Sequence, residues 1–307
     1  MPTRDTGDSE AIEVAMKTIG AMNVPAAESV LKEAKEIMDE LGVTFFLRQG
    51  TCLGALRDNA IMAWDDDLDI GSIIGLHGLT KDTIDITVVR VVEAFTSRGF
   101  STRVELTNSF TYVLLLKDSI RIDWECFHVT DGMIHHWPPK QFPVELFTEL
   151  KEIDFLGQKH HVPNPPEEYL ATKYGPDWKT PKPSGFYEKD VLSMIPDPPT
   201  LSPIQRLLNG IRSLVSPQKK TTLQVLDLQG KPVAGAEVNV AGTESHRTDA
   251  SGNVFLNLSN EIYHSFTITI GDHEEVLYIE LLNRGESYVY RPDPQVSSGR
   301  SFALTQK

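Results

Sequence analysis

Cysteine is nearly absent from this chain: Cys52 and Cys126 are the only two in 307 residues. Both lie in apolar stretches of unrelated segments. That argues against a disulfide framework and predicts two free thiols in a reducing compartment. Positive charge is also scarce. Lys and Arg number 29 against 43 Asp and Glu, a formal net charge of −14. Nucleic acid is therefore not an expected partner, and a phosphorylated ligand needs a local cationic site or a metal. Long hydrophobic runs are missing. No stretch approaches the roughly 18–20 apolar residues of a membrane span. The opening MPTRDTGDSEAIEVAMK lacks the apolar core of a signal peptide. The expectation is a cytoplasmic protein, with any membrane association arising through its acceptor. Internal repeats and low-complexity tracts are absent as well, and the length suits two domains better than one.

What is present divides in two. Up to about residue 200, helical and strand patterns mix. SVLKEAKEIMDELG predicts a helix with Ser29 as N-cap and Gly42 just past its end; Val30, Leu31, Ala34, Ile37, Met38 and Leu41 form one apolar stripe. VTFFLRQG predicts a strand ending in a glycine turn, and DLDIGSI a second strand. LTKDTIDITVVRVVEAFTSRG predicts a long helix closed by Gly99. YVLLL and IRIDWECFHV predict further strands, and PPEEYLATKYG a short helix ending at Gly175. Proline crowds residues 176–220, which read as a linker or wrapping segment containing a short amphipathic helix, IQRLLNGIRSLV. From Thr221 onward apolar and polar residues alternate between Gly, Asp and Asn turns, the pattern of an antiparallel β-sandwich of about seven strands or fewer. The predicted organisation is an N-terminal extension (1–27), an α+β domain with a mixed sheet and helices (28–200), a linker (201–220) and a small all-β sandwich (221–307).

The chemistry concentrates in AWDDDLDIG, which packs Asp65, Asp66, Asp67 and Asp69 between Trp64 and Ile70. On a strand, residues two apart share a face. Asp65, Asp67 and Asp69 then project together while Leu68 and Ile70 turn to the core. Like charges this close resist ionisation unless a cation holds them, and their hard oxygens suit Mg2+ or Mn2+. In RIDWECF, Asp123 and Glu125 share the face opposite Ile122, Trp124 and Cys126. Asp123 can complete a three-carboxylate site built on two neighbouring strands. The plain alternative is a solvated acidic loop. A calcium loop fails, because Ile70 stands where its glycine belongs and Leu76 where its glutamate belongs. Just upstream, RQGTCLGALRD follows a predicted strand. Gly50 and Gly54 there permit a tight turn that brings backbone N–H groups near an anion, and Arg57 offers bidentate phosphate contact. Alone this is an ordinary turn. Followed at once by the aspartates, it has the glycine-turn plus Asp-x-Asp arrangement of nucleotidyltransferase folds. The pairs His135–His136 and His160–His161 have no cysteine at zinc spacing and are read as structural.

GTCLGALRDNAIMAWDDDLDIG resembles the signature of the LicD/fukutin family, G-T-L-L-G-A-x-R followed by P-W-D-D-D-I-D-I. DFLGQKHHVPNPPEEYLATKYGPDW is similar to that family's second signature, a short β-hairpin, then V-P, P-E-E-Y-L and Y-G-x-D-W. The resemblance covers roughly residues 28–180; Cys52 replaces the usual aliphatic residue and Ala63 the common proline, and neither change removes a polar group. The resemblance implies a Mg2+- or Mn2+-dependent phosphotransferase of the nucleotidyltransferase superfamily. Such an enzyme moves a phospho-alcohol or phospho-sugar group from a CDP-activated donor to a hydroxyl of a glycan or lipid-linked glycan. It implies Asp67, Asp69 and Asp123 as catalytic and metal-binding residues, with Asp65 alongside. Gly50 and Thr51, with Gly54 and Arg57, would face the donor phosphates. Tyr169, Tyr174, Asp177 and Trp178 are candidates for a substrate pocket, although the tyrosines can equally pack their helix onto the sheet. Two alternatives stand beside this: transfer of a nucleoside monophosphate, and a non-catalytic glycan-binding protein. GKPVAGAEVNVAG and HRTDASGNVFLNL resemble the carboxypeptidase-regulatory-like or transthyretin-like β-sandwich, as a spacer or as a glycan-contacting or oligomerising module.

Overall fold

The helix predicted over SVLKEAKEIMDELG starts earlier than its apolar stripe suggests. In the computed structural model, α1 spans Val24–Leu41, and the Asn23 side chain caps it by accepting the Ala26 N–H at 3.2 Å. Pro25 is tolerated in the first turn because those N–H groups have no partner within the helix. Ser29 is therefore an interior residue. Gly42 ends the helix as expected, at φ 69°, with its N–H on the Asp39 carbonyl and that of Val43 on Met38. Val30, Leu31, Ala34, Ile37 and Met38 are buried together with Ala27, while Leu41 is half-buried.

The structure describes residues 4–6, 12, 22–106, 110–136, 140–182, 192, 220–243, 245–256, 258, 263–293, 300–301 and 303–307. Most of the N-terminal extension, and the linker with its IQRLLNGIRSLV helix, lie outside these residues. The chain divides into two units, 1–181 and 182–307.

The first unit is α+β. Its strands are β1 (Arg4–Thr6), β2 (Phe46–Leu47), β3 (Leu68–Ile74), β4 (Ser101–Leu106), β5 (Phe110–Lys117), β6 (Ile120–Thr130), β7 (Met133–His136) and β8 (Lys140–Pro143). They form one mixed sheet in the order β1-β4-β5-β6-β3-β2, with β7 and β8 extending from β6. Among the described pairings of this sheet only β3–β6 is parallel, with Leu68 opposite Ile122 and Asp69 opposite Asp123. A hairpin of β9 (Lys151–Phe155) and β10 (Gln158–Val162) follows. The other α-helices among the described residues are α2 (Gln49–Arg57), α3 (Ile84–Ser97) and α4 (Pro166–Tyr174). Strand β3 is buried along its whole length. On β6 burial alternates, so Ile122, Trp124 and Cys126 face the core and Asp123 and Glu125 the other side. Trp124 is anchored there by donating its indole N–H to Ser72 Oγ at 3.0 Å. Cys52 and Cys126 are buried and free, as expected.

The segment VTFFLRQG departs from its prediction. Only Phe46 and Leu47 form strand, and no glycine turn follows. Arg48 is still extended, Gln49 takes the left-handed φ of 43°, and α2 begins at once. Gly50 and Gly54 are helical residues. Their need for glycine is steric: a Cβ on Gly50 would overlap the Asp65 carboxylate, and one on Gly54 would stand 2.5 Å from the Ala60 carbonyl oxygen.

The second unit exceeds its prediction. Among the described residues it has nine strands: β11 (Thr221–Val225), β12 (Glu237–Val240), β13 (Ser245–Arg247), β14 (Asn253–Leu256), β15 (Tyr263–Ile270), β16 (His273–Leu281), β17 (Ser287–Tyr290), β18 (Arg300–Ser301) and β19 (Thr305–Gln306). They form a four-stranded sheet, β14-β11-β17-β19, and a five-stranded sheet, β13-β12-β15-β16-β18. Pairing is not wholly antiparallel, since β11–β17 and β16–β18 run parallel. Leu223, Val238, Phe266, Ile268, Leu277 and Tyr290 lie in the core of this unit. Among the described residues, no helix is long and apolar enough to cross a membrane.

Candidate active site

The aspartates do not all sit on one strand face. Strand β3 begins only at Leu68, so Asp65, Asp66 and Asp67 belong to the loop before it and Asp69 alone to the strand. The loop still gathers its acids: Asp65, Asp66 and Asp67 each offer a carboxylate oxygen within 4.8 Å of the others. Asp69 joins them through β3, and parallel pairing sets Asp123 beside it, on a strand about 4.8 Å away. The predicted three-carboxylate grouping across two strands thus has a structural counterpart. Asp66, omitted from that grouping, is part of it.

Burial raises the cost of these charges. The Asp69 carboxyl is pushed up to about 8 by burial and by Asp67, with Arg48 pulling the other way. Asp66 is pushed up to about 6 by burial and Asp67, against Arg121. Asp123 is held well above the ordinary carboxylate range, by burial first, and its Oδ1 is buried with no hydrogen bond. Crowded hard oxygens, one of them orphaned, fit a divalent cation.

Three cations lie among the acids. Arg48 is buried at 2% exposure, with Nη2 at 3.1 Å from both Asp69 Oδ1 and Glu125 Oε1. Burial opposes its charge, but Glu125 and Asp69 more than offset this and keep the guanidinium above its usual value. Its Nη1 lies 2.6 Å from His136 Nε2, which must then accept, so the ring is neutral with its proton on Nδ1. Burial holds His136 well below the ordinary histidine value. Lys173, on α4, is buried and lowered to about 7 by desolvation, with Asp69 and Glu125 opposing that fall. Arg121 contacts Asp66, Asp67 and Asp123.

The strand-to-helix junction completes the site. The Gln49 side chain donates to Asp69 Oδ1 at 3.0 Å, and its N–H to the Tyr169 hydroxyl at 3.0 Å. A left-handed non-glycine residue costs on the order of 1–3 kcal/mol, and these two bonds offset it. Thr51 Oγ1 accepts the Asp69 N–H at 2.7 Å. Gly50 and Thr51 thus lie in the first turn of α2, where N–H groups point out of the helix and suit an anion.

Other expected residues lie elsewhere. Arg57 is at the far end of α2, paired with Asp58 at 2.6 Å. Gly54 faces the Ala60 carbonyl. Tyr169 is buried against Phe142 and Phe147, so it packs α4 while also holding Gln49. Tyr174 and Trp178 are buried and Asp177 is exposed. His160 is buried between Phe45 and Phe155, and His135 is exposed. Neither histidine pair joins a cluster of metal-ligating side chains among the described residues.

Arg48, Gln49, Arg121 and Lys173 were missed in the sequence. Two of them left a signal. Arg121 precedes Asp123 by two on the same strand face, and Lys173 follows Tyr169 by four on the same helix face.

Residues 42–165 match the family described as LicD/FKTN/FKRP, nucleotidyltransferase domain. Over that stretch, which is less than half of the chain, the protein is similar to the LicD family. Its relatives include the human ribitol-5-phosphate transferase FKTN, 28% identical over 166 residues, which are 51% of this chain and 34% of that protein. The human ribitol 5-phosphate transferase FKRP is 25% identical over 147 residues, covering 46% and 29%. An uncharacterized protein of Rickettsia typhi is 26% identical over 154 residues, covering 48% and 45%. The chain thus spans about a third of the length of the ribitol-phosphate transferases that it matches.

Proposed function

We propose that this protein transfers a phospho-alcohol or phospho-sugar group from a CDP-activated donor to a hydroxyl of a glycan or glycan precursor. The observation that carries the reading is the pairing of Asp69 with Asp123 on parallel strands, beside the Asp65–Asp67 loop. The names of the relatives support the class of group transferred. Asp65, Asp67, Asp69 and Asp123 would hold Mg2+ or Mn2+, which when bound supplies neutralising charge for a diphosphate and polarises the transferred phosphoryl group.

The chain's own residues do the rest. The N–H groups of Gly50 and Thr51 at the start of α2 bind a donor phosphate. Arg48, Gln49 and Lys173 fix the Asp69 carboxylate from behind. Asp123, whose Oδ1 is buried without a hydrogen bond, accepts the proton of the attacking hydroxyl. Asp123 is kept in place by β6, whose Ile122 and Trp124 are wholly buried.

The test is product analysis with a panel of CDP-alcohols and a hydroxyl acceptor in Mg2+. Release of CMP with the phospho-alcohol left on the acceptor is the expected outcome. Release of pyrophosphate from a nucleoside triphosphate would move the protein to nucleoside monophosphate transfer instead.

A further inference from the structure

Six carboxylates, Asp65, Asp66, Asp67, Asp69, Asp123 and Glu125, meet three cations, Arg48, Arg121 and Lys173. Arg48 and Lys173 are each 1–2% exposed and serve Asp69 and Glu125 from the buried side. Arg121 is placed differently. Its Nη2 donates to Asp66 Oδ2 at 3.1 Å and, more closely, to Asp67 Oδ2. Its Nε stands 3.3 Å from Asp123 Oδ1. One guanidinium thereby ties the loop before β3 to strand β6.

The tie is ill-made on one side. Arg121 Nε and Asp123 Oδ1 are both buried, and neither has a hydrogen bond despite their closeness. A structural ion pair in a protein interior normally satisfies every donor and acceptor, because an orphaned one is costly. Arg121 is also the most exposed of the three cations, at 12% of its side chain. It precedes the Leu68–Ile122 pair and so lies level with Asp67, next to the loop rather than under it.

We propose that Arg121 is an internal counter-cation, which a divalent ion displaces from Asp66, Asp67 and Asp123 and which then binds the diphosphate of the nucleotide donor. This rests on the function proposed above. The displacement follows from space. A magnesium ion requires carboxylate oxygens at about 2.0–2.1 Å, and Arg121 already covers Asp67 Oδ2. The second half follows from chemistry. A displaced guanidinium is a planar fork with a charge to satisfy, and phosphate oxygens match it two at a time. Metal alone must break the arginine's contacts without replacing them. Metal arriving with a diphosphate gives the arginine a new anion. Ion and donor therefore bind with positive coupling, and the coupling is reciprocal.

The experiment measures Mn2+ binding to the full chain by titration calorimetry, with and without CDP as an unreactive diphosphate, for wild type, Arg121→Gln and Arg121→Lys. In wild type, CDP should tighten Mn2+ binding about tenfold. In Arg121→Gln, Mn2+ alone should bind about tenfold tighter than in wild type, and CDP should add less than about twofold. A melting temperature lowered by Arg121→Gln should be restored by Mn2+, which would not happen had the arginine only a packing role. Arg121→Lys keeps the charge without the fork. It should weaken CDP binding at saturating Mn2+ while changing Mn2+ affinity less, and it serves if Arg121→Gln does not fold. Wild type binding both ligands, with Arg121→Gln showing unchanged or weaker Mn2+ affinity and full coupling, overturns this inference and leaves the proposed function standing. Failure of wild type to bind Mn2+ or CDP at all overturns both.

Discussion

Lys173 and Glu125 are alike in chemistry of position: each is a charge kept indoors by its neighbours. Lys173, lowered to about 7 by burial, sits near Asp69 and Glu125. Arg48 still faces both acids when the lysine is gone, so Lys173→Met removes only part of their compensation. Lys173→Met should therefore destabilise the first unit by about 1–3 kcal/mol in urea unfolding, and a loss below about 1 kcal/mol would mean Lys173 does not compensate these acids. Asp123 and Glu125 lie on one strand face but have different duties. Glu125 is paired with Arg48 at 3.1 Å, whereas Asp123 keeps an unbonded oxygen. Asp123→Asn should lower turnover on the order of 10²–10⁴-fold at saturating Mg2+ and donor, the loss expected for a general base. Glu125→Gln should show mainly in stability. An inactive Glu125→Gln beside an active Asp123→Asn would mean that the base is the other carboxylate of that face.

At the scale of the element, helix α2 is what brings backbone up to the acids, and its two glycines have separate reasons. The group that a Gly50 side chain would meet is the end of the Asp65 carboxylate, which can swing away. The group that a Gly54 side chain would meet is backbone, the Ala60 carbonyl. Alanine is favoured over glycine within a helix by about 1 kcal/mol. Gly50→Ala should thus leave the melting temperature nearly unchanged while displacing Asp65 and weakening Mn2+ binding. Gly54→Ala should lower the melting temperature instead. Thermal melts and Mn2+ titrations of both variants check this, and the reverse pattern would show that Gly50 has no bearing on the carboxylates. The same helix shows what the sequence could and could not tell. The apolar stripe of α1 and the alternation on β6 were legible, because periodicity is local. The acidic run was legible because no core tolerates it unaided. Arg48 was not: its partners Asp69, Glu125 and His136 come from three strands, and only the assembled sheet brings them together. The left-handed turn at Gln49 was hidden too, since its support is the Tyr169 hydroxyl, distant in sequence. The pair β18 and β19 are two residues each, too short to carry any alternation.

For the molecule as a whole, each unit keeps its own ionisable groups in its own core, and the second unit is the simpler to titrate. Strand β16 carries two buried carboxylates that hold the C-terminal residues. Glu275 accepts from the Tyr290 hydroxyl at 2.5 Å and pairs with Arg300. Glu280 accepts the N–H groups of Ala303 at 2.7 Å and Leu304 at 2.9 Å. Those two bonds favour a charged Glu280, as does Arg300, but burial outweighs them and, helped by Glu275, pushes the carboxyl up to about 7. A folded-state value above the unfolded one means that the folded protein holds the proton more tightly. The resulting stability is fully present below about pH 4 and is lost as the pH rises through about 7, a change on the order of 3 kcal/mol. Calorimetry of the intact chain at pH 5 and pH 8 should show the transition of this unit falling as the pH rises. In Glu280→Gln the fall should be smaller by that share, because the amide does not titrate. It should also start lower, since an amide NH2, unlike the hydroxyl oxygen of the protonated acid, cannot accept one of the two N–H groups, a loss of about 1 kcal/mol. An identical pH slope in the variant would show that Glu280 is not the group responsible, and that the two N–H bonds, rather than burial, set its charge.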